Sequence, residues 1–365
     1  MSLPITTQDS NLKQGGSAAQ TPRMLIPHKY AWTAPFLLAA ALLLAIVASL
    51  CVGAYPMTPF HAARVLLHLL WPFGHGLAQF NLKEITVMKI IRPPRVLLAA
   101  LAGMGLGISG TALQGMMRNP LVGPDIVGVT SGAAFGGVVA ITLDLPPAGI
   151  IVLAFVGGLL AMACTFGLAK LAHGGNNSMI LILAGVFIGA LFLALVGLVE
   201  FYGNVFRIRD WIIGSFVNAD WTKVASIAIP TLFGGAVLMA LRWRMNLLSL
   251  GDMDAKQLGV NVSVLRWTVI AVVSLIVSAQ VAVSGIVAWV GLVIPHCARM
   301  LVGPDHRRLL PTAGLMGALF VLGLDDLTRS IVHGGLPVGS LTAIVGTPTV
   351  CFLLWKSQGK GWGRE

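Results

Sequence analysis

RPPRVLLAALAGMGLGISGTALQGMMRNPLVGPDIVGVTSG, residues Arg92–Gly132, contains two arginines, a long uncharged run, a polar turn and a second apolar run. The first uncharged run, Val96–Gly115, has the length of ~20 residues that a helix needs to cross a hydrocarbon layer of ~30 Å. The polar turn after it, Arg118–Leu121, includes Pro120, and proline does not continue a helix. The stretch therefore predicts two membrane-crossing helices joined by a tight turn.

Glycines recur every four residues in both of these helices. Gly103 and Gly107 lie in the first helix, and Gly128, Gly132 and Gly136 belong to the second. Small residues at this spacing let helix backbones approach closely within a membrane. We expect the two helices to pack against each other through these glycines.

The composition of the chain predicts an integral membrane protein surrounded by lipid. Of its 365 residues, 56% are hydrophobic and 10% are charged, whereas a soluble domain has about 25% charged residues. The net charge of +11 is not concentrated in a basic stripe with interleaved aromatic residues, so we predict no nucleic-acid partner. The four cysteines lie in apolar runs without a CxxC spacing, which argues against a disulfide framework and against a zinc site.

Uncharged runs, divided at charges, prolines and glycine clusters, predict an all-α fold with ten membrane spans. The long uncharged run 267–298 is divided at Ser284 and Gly285 because glycine breaks helices. The predicted spans are 32–54, 94–115, 122–143, 147–169, 178–200, 224–242, 266–285, 286–300, 309–328 and 339–355.

The distribution of lysine and arginine predicts that both termini are cytoplasmic. An even number of spans places the termini on one side, and with that side inside, the inner segments hold fifteen of the 24 cations. Inner loops carry the excess of positive charge in membrane proteins. We therefore expect a disordered cytoplasmic tail over residues 1–30, one transmembrane domain over 31–356 and a cytoplasmic tail over 357–365.

The sequence contains no recognisable catalytic or nucleotide-binding motif. It has no GxxxxGK[ST] loop for phosphate, no HExxH for zinc and no GxSxG nucleophile turn. We predict no catalytic residue, no resident metal and no cofactor bound by this chain.

The inner loop 244–265 predicts a short amphipathic helix that Asp252 caps and Gly259 ends. Its apolar positions, Met253, Ala255 and Leu258, would be exposed to the cytoplasm unless another protein covers them. The loop therefore predicts a soluble partner.

Several ordered motifs resemble those of the FecCD family, the permease subunits of binding-protein-dependent ABC importers for iron siderophores, haem and cobalamin. The resemblance covers about 92–355 and rests on the combination of motifs, each of which is weak alone. The motifs are Arg92-x-x-Arg95, Ser109-Gly110-x-x-x-Gln114, Arg118-Asn-Pro-Leu121, Gly128-x-x-x-Gly132-Ala133, Ala255-Lys-Gln-Leu-Gly259, Gly291-Leu-Val-x-Pro-His296-x-x-Arg299, Asp305-His306-Arg307, Asp325-x-x-x-Arg329 and Leu336-Pro337-x-Gly339.

This resemblance implies the type II ABC importer permease fold, in the inner membrane of a bacterium. It further implies a homodimer that works with two cytoplasmic ATPase subunits and a periplasmic substrate-binding protein, with ATP and Mg bound by the ATPase. The ATPase-coupling segment would be Asp252, Met253, Ala255, Lys256, Gln257, Leu258 and Gly259.

The resemblance also implies two further sites. Arg92 and Arg329 would receive carboxylates of the binding protein, since guanidinium groups bind carboxylates bidentately. The cytoplasmic gate would comprise Asn119, Leu121, Asn176, Asn177 and Ser178.

The sequence is compatible with more than one cargo. The outer cations favour an anionic cargo, so a ferric siderophore is the first expectation, with haem or cobalamin as alternatives. In the first outer loop, His61, His68 and His75 recur every seven residues, and a helix would place His61 and His68 on one face. Such a face would suit haem or metal contact, or would simply be an interfacial helix with polar positions.

Another class of function is an ion-gradient-driven secondary transporter, which would need acids paired near the midplane of the membrane. The sequence offers few buried acids. Asp325 and Arg329 are four residues apart and can form an ion pair on one helix face, while Asp326 is predicted to have no local partner.

Overall fold

The computed structural model describes residues 31–53, 55, 57–70, 80–172, 178–331 and 336–358, and within these ranges it is all-helical. The helices are α1 Ala34–Cys51, α2 Pro59–Leu70, α3 Leu82–Thr86, α4 Arg92–Met117, α5 Val129–Thr142, α6 Pro147–Leu171, α7 Ser178–Tyr202, α8 Val205–Ile212, α9 Trp221–Leu250, α10 Asp252–Gln257, α11 Val262–Ser284, α12 Val290–Val302, α13 His306–Ile331 and α14 Val338–Gln358.

Each of the ten predicted spans coincides with an apolar helix, but the number of membrane crossings is not confirmed. Among the described residues, seven helices are long and apolar enough to cross a membrane. Three others are shorter over their described apolar parts, Val129–Thr142, Val290–Val302 and Val338–Cys351. The predicted division at Ser284 is confirmed, because α11 ends there and Gly285 adopts a φ of +70°.

The helix α4 lies in the interior of the bundle and packs against α9, α11, α12 and α13. Most of its residues are buried, from Arg92 to Met117. Its glycines make this packing close: a Cβ added to Gly103 would overlap the backbone of Gly317 on α13, and one added to Gly110 would overlap the carbonyl of Gly291 on α12.

The glycines of α5 face a different neighbour. Gly132 and Gly136 lie against Gly157 and Leu153 of α6, so closely that an added Cβ would overlap their carbonyl oxygens. Close packing through the glycines is therefore confirmed, but the expectation that the two glycine-bearing helices pack on each other through them is wrong. Spacing identifies a small helix face without specifying which helix covers it.

Large apolar side chains remain exposed on the outside of the bundle, as a lipid environment requires. On α7 they include Met179, Leu183, Phe187 and Leu191, and on α1 they include Leu44. The bundle is therefore that of a multi-pass membrane protein.

Some of the predicted features lie outside the described residues. They are the tail 1–30, His75, Asn176, Asn177 and all but the first two residues of the tail 357–365.

Candidate functional site

Polar side chains form clusters at the two ends of the bundle. One cluster, termed the arginine cluster, consists of Ser49, Arg92, Arg95, Asp325, Asp326 and Arg329, from α1, α4 and α13. The other, termed the coupling cluster, consists of Arg118, Asp252 and Arg266, from the end of α4, from α10 and from α11.

Arg92 is 4% exposed and binds the end of α1. Its Nη1 atom donates a hydrogen bond of 2.9 Å to the carbonyl of Leu50, and its Nη2 atom donates one of 2.8 Å to the carbonyl of Tyr55. The last carbonyl groups of a helix lack partners within the helix, and a cation also complements the helix dipole there. Arg92 therefore stabilises the end of α1.

Arg329 is 9% exposed and binds the same end of α1. It donates hydrogen bonds to the carbonyls of Ser49 and Val52, at 3.3 and 3.0 Å, and one of 2.6 Å to the Ser49 hydroxyl. Its Nε atom lies 3.1 Å from Asp325 Oδ2, which confirms the predicted pair.

Asp326 also has partners, so the prediction that it has none is wrong. Its Oδ1 atom contacts Arg329 and accepts a hydrogen bond of 2.6 Å from the Ser49 hydroxyl. Ser49 is 277 residues away in sequence, so this contact depends on the fold, whereas Arg329, three residues along the same helix, can contact Asp326 as well as Asp325.

Asp325 completes this cluster and has no exposed side-chain surface. Arg95 donates hydrogen bonds of 3.1 Å and 2.8 Å to it from Nε and Nη2. A buried carboxylate is tolerated when cations and hydrogen bonds surround it. The arginine cluster thus joins α1, α4 and α13, and docking of another protein at Arg92 and Arg329 stays a prediction.

The two histidines of α2 lie around one aromatic ring. His61 and His68 of α2 each meet Phe80 edge-on, with ring centroids 5.5 and 5.2 Å away. The Nε2 atom of His61 lies 3.1 Å from a carboxylate oxygen of Glu84. The expectation that the two histidines share a helix face is confirmed, and Phe80 covers that face.

At the coupling cluster, α10 begins at Asp252, but the predicted capping role of this residue is wrong. The N-cap is Gly251. The Asp252 carboxylate instead accepts a hydrogen bond of 2.9 Å from Arg266 and one of 3.3 Å from Arg118. Gly259, with a φ of +81°, ends the segment as predicted.

The apolar side chains of α10 and of Leu258, the residue directly after it, divide into two groups. Met253 is 71% exposed and Leu258 is 57% exposed, as the sequence predicts. Ala255 is fully buried, so its expected exposure is wrong. Asp254, Lys256 and Gln257 are exposed, and the segment therefore presents a mixed surface of two large apolar and three polar side chains.

The turn after α4 has a defined geometry. Arg118 is left-handed, with a φ of 52°, and Asn119 donates a hydrogen bond of 3.2 Å from its backbone to the carbonyl of Gln114. The Asn119 side chain accepts one of 2.9 Å from the backbone of Leu121. Of the other predicted gate residues, Ser178 begins α7.

Two further polar residues, each near the end of a helix, join that helix to its neighbours by hydrogen bonds. Gln114 of α4 accepts a hydrogen bond of 3.0 Å from Arg299 and donates one of 3.2 Å to the carbonyl of Leu292 on α12. Asn246 of α9 donates one of 2.7 Å to Asp305 and accepts one of 2.9 Å from the backbone of His306. Sequence motifs indicated several of these residues, but the pairings come from the fold.

Within the described residues, no three histidine, cysteine, aspartate or glutamate side chains are grouped closely enough to hold a metal ion. A cavity of about 200 Å³ lies between the end of α8 and the end of α11 and includes Asp210, Ser215, Lys223 and Ser284 in its lining. It is a mixed polar and apolar cavity without an arrangement typical of catalysis.

The sequence profile of the FecCD transport family matches residues 41–356. The chain belongs to the FecCD transport family. This match contains all the described residues of the arginine and coupling clusters, and it confirms the family resemblance of the sequence motifs.

Individual members of the family are similar over most of the chain. The molybdate import system permease protein MolB of Haemophilus influenzae is 37% identical over 330 residues, covering 89% of this chain and 96% of that protein. The hemin transport system permease protein HmuU of Yersinia pestis is 40% identical, covering 73% and 83%. The cobalamin import system permease protein BtuC of Halobacterium salinarum is 38% identical, covering 76% of each.

Solved structures show the same fold. A metal-chelate type ABC transporter in an inward-facing conformation is 37% identical and aligns with a TM-score of 0.78, covering 88% of this chain and 98% of that one. These relatives are transporter membrane subunits rather than enzymes.

Proposed function

We propose that this chain is the permease subunit of an ATP-driven ABC importer that moves a metal chelate across the inner membrane of a bacterium. The observation that carries this proposal is the family match over residues 41–356. The exposed Met253 on α10 and Leu258 directly after it add a surface on which a cytoplasmic ATPase would dock, since large apolar side chains in a polar loop favour a partner.

In this proposal the chain crosses the membrane ten times, with both termini in the cytoplasm. The crossings are the seven long helices together with α5, α12 and α14, whose described apolar parts are shorter. Short helices are tolerated at membrane depth where the flanking irregular backbone is buried in protein. Gly285, for example, packs against the backbone of Trp211 and Gly214.

The proposed assembly contains two copies of this chain, two ATPase subunits that bind ATP and Mg, and one periplasmic binding protein. Arg92 and Arg329 are the proposed docking residues, and α10 is the proposed contact with the ATPase. Asn119, Leu121 and the segment 176–178 form the proposed cytoplasmic gate. Support for Arg92, Arg329, α10 and the turn 119–121 comes from the family motifs at these positions, while the segment 176–178 is assigned from the family resemblance as a whole.

A ferric siderophore is the first proposed cargo. Its support is the outer cations, which favour an anion, together with two relatives: an iron chelatin permease of Helicobacter pylori that is 36% identical, and the iron(3+)-hydroxamate permease protein FhuB of Bacillus subtilis that is 30% identical. Molybdate is the second candidate, because MolB aligns over 96% of its own length. Because other relatives are hemin and cobalamin permeases, haemin and cobalamin are also tested as cargoes.

Reconstitution tests this function directly. The permease, its ATPase and its binding protein are placed in proteoliposomes, and uptake of a ferric hydroxamate, molybdate, haemin and cobalamin is measured with ATP, without ATP and with an ion gradient alone. We expect uptake of one cargo that requires ATP and the binding protein. Uptake driven by the gradient without ATP would instead identify a secondary transporter.

A further inference from the structure

The end of α4 and the start of α10 meet through side chains. The Nη2 atom of Arg118, directly after α4, lies 3.3 Å from Oδ1 of Asp252, the first residue of α10. The same carboxylate oxygen lies 2.9 Å from Nη2 of Arg266 on α11. Asp252 is therefore shared between the turn after α4 and the helix that follows α10.

Different forces hold the other parts of α10. Ala255 is fully buried, and its carbonyl accepts a hydrogen bond of 2.9 Å from the backbone of Val260. The helix packs against α9 and α11, the two helices that precede and follow it. These contacts hold α10 against the helices next to it in sequence. The Arg118–Asp252 ion pair instead connects it to α4, which lies far away in sequence.

Arg118 is well placed to act on the turn that follows it. A left-handed residue at the end of a helix fixes the direction in which the chain leaves. Here the next residue, Asn119, binds back to Gln114 and also holds the backbone of Leu121 at 2.9 Å. A force on the Arg118 side chain is thus transmitted to a hydrogen-bonded turn rather than to a loose loop.

The left-handed backbone conformation at position 118 does not by itself favour an arginine. Left-handed conformations cost energy in residues other than glycine, asparagine and aspartate, yet an arginine with a φ of 52° occupies this position. Its long side chain provides the reach to Asp252, which those shorter residues lack.

We propose that the Arg118–Asp252 ion pair is the link through which movement of α10 displaces the turn Arg118–Leu121. This inference rests on the proposed function, because it requires an ATPase that moves α10. Asp252 and Arg118 are positioning residues in this scheme: they touch neither cargo nor nucleotide.

Two single-cysteine probes separate docking from transmission. In a background with the four natural cysteines replaced by alanine, Met253→Cys reports covering of α10 by the ATPase, and Leu121→Cys reports the accessibility of the turn. Both positions are exposed. Maleimide labelling of each probe is measured in the reconstituted transporter, with and without a trapped ATP analogue.

Arg118→Asn removes the ion pair and retains a residue that accepts the left-handed turn. We expect the ATPase to protect Met253→Cys normally in this variant. At Leu121→Cys, the nucleotide-dependent change in labelling rate should fall from about fivefold to less than about twofold, because an ion pair transmits no more than its own interaction energy. Arg118→Lys, which keeps the charge, should restore part of the change.

Asp252→Asn should give at least the same loss, because it also weakens the contact with Arg266, and adding Arg118→Asn to it should have no further effect, as expected for two members of one interaction. Asp254→Asn is the matched control: it removes an exposed acid from the same short helix and should leave both probes unchanged.

The outcomes distinguish the link from the proposed function. Undiminished nucleotide dependence at Leu121→Cys in the Arg118→Asn and Asp252→Asn variants overturns the link. If the ATPase never protects Met253→Cys, even with Arg118 and Asp252 intact, the proposed function has failed instead.

Discussion

The carboxylate of Asp325 accepts hydrogen bonds of 3.1 and 2.8 Å from the guanidinium of Arg95. The two residues lie on α13 and α4, 230 positions apart in sequence. Arg329, one turn after Asp325, approaches the same carboxylate from the other side. The buried Asp325 therefore contacts Arg95 of α4 and Arg329 of α13. Because Arg329 also binds the end of α1, these contacts connect three helices.

Removing Arg95 should destabilise the protein. Arg95→Met leaves Asp325 buried with Arg329 as its remaining cation, so we expect a loss of about 2–3 kcal/mol, at or below the range for breaking a buried ion pair. Thermal unfolding in detergent measures the change. Arg209→Met, at an exposed arginine, is the control and should have little effect. Equal stability of the two variants would show that the pair contributes nothing.

If Arg92 and Arg329 are the docking residues, the double variant Arg92→Glu with Arg329→Glu should bind the periplasmic protein more than about 100-fold more weakly, because its charge-assisted contacts are lost. The burial of both arginines adds a second effect, because their substitution also removes hydrogen bonds to α1. Binding and thermal stability are therefore measured together, and Arg64→Glu serves as the exposed control. Unchanged affinity in the double variant refutes the docking role.

The glycine contacts predict that an added methyl group lowers the stability only where another helix lies close to the glycine. Gly110→Ala places a Cβ against the carbonyl of Gly291 and should cost about 1–3 kcal/mol, the range for overpacking. Gly167→Ala is the control, since nothing lies within 4 Å of its added Cβ. Thermal unfolding compares the two, and an equally stable Gly110→Ala variant contradicts the close approach of α4 and α12.

Leu258, the exposed apolar residue directly after α10, should contribute to binding of the ATPase but not to the stability of the permease. Leu258→Glu places a charge in the proposed ATPase contact and should weaken co-purification of the ATPase by at least about tenfold. Because Leu258 is exposed, the thermal stability of the isolated permease should stay within about 0.5 kcal/mol. Val264→Glu is the control, as an exposed apolar residue on α11, outside the segment 252–259. Normal assembly of the Leu258→Glu variant would remove α10 as the contact.

Acid should weaken the junction between α9 and α13. Burial raises the pKa of Asp305, but hydrogen bonds from the Arg307 backbone and Asn246, together with nearby arginines, lower it overall below its usual 3.8. A lowered folded pKa means that this stabilisation is present above the unfolded pKa and disappears as pH falls through the folded value. Unfolding is therefore measured from neutral to acidic pH. The stability advantage over Asp305→Asn should shrink on acidification, and a constant difference would contradict it.

Periodic and ordered features were predictable from the sequence. The ten apolar helices, the break at Gly285 and the α10 segment follow from chain-local properties: uncharged length, glycine, and apolar positions within a polar loop. The pair Asp325–Arg329 was predictable too, since both residues lie on one helix turn.

The partners across helices could not be read in this way. That Ser49 binds Asp326, that Arg118 reaches Asp252, and that the glycines of α4 face α12 and α13 depend on how separate helices are arranged. A sequence specifies the chemistry and the face of each residue, while the covering neighbour is chosen by the packing of all helices together. The sequence by itself determined the helices, the family and the polar ends of this protein. Only the tertiary structure decided that its predicted docking arginines are buried against α1, because burial depends on the neighbours that folding brings to each side chain.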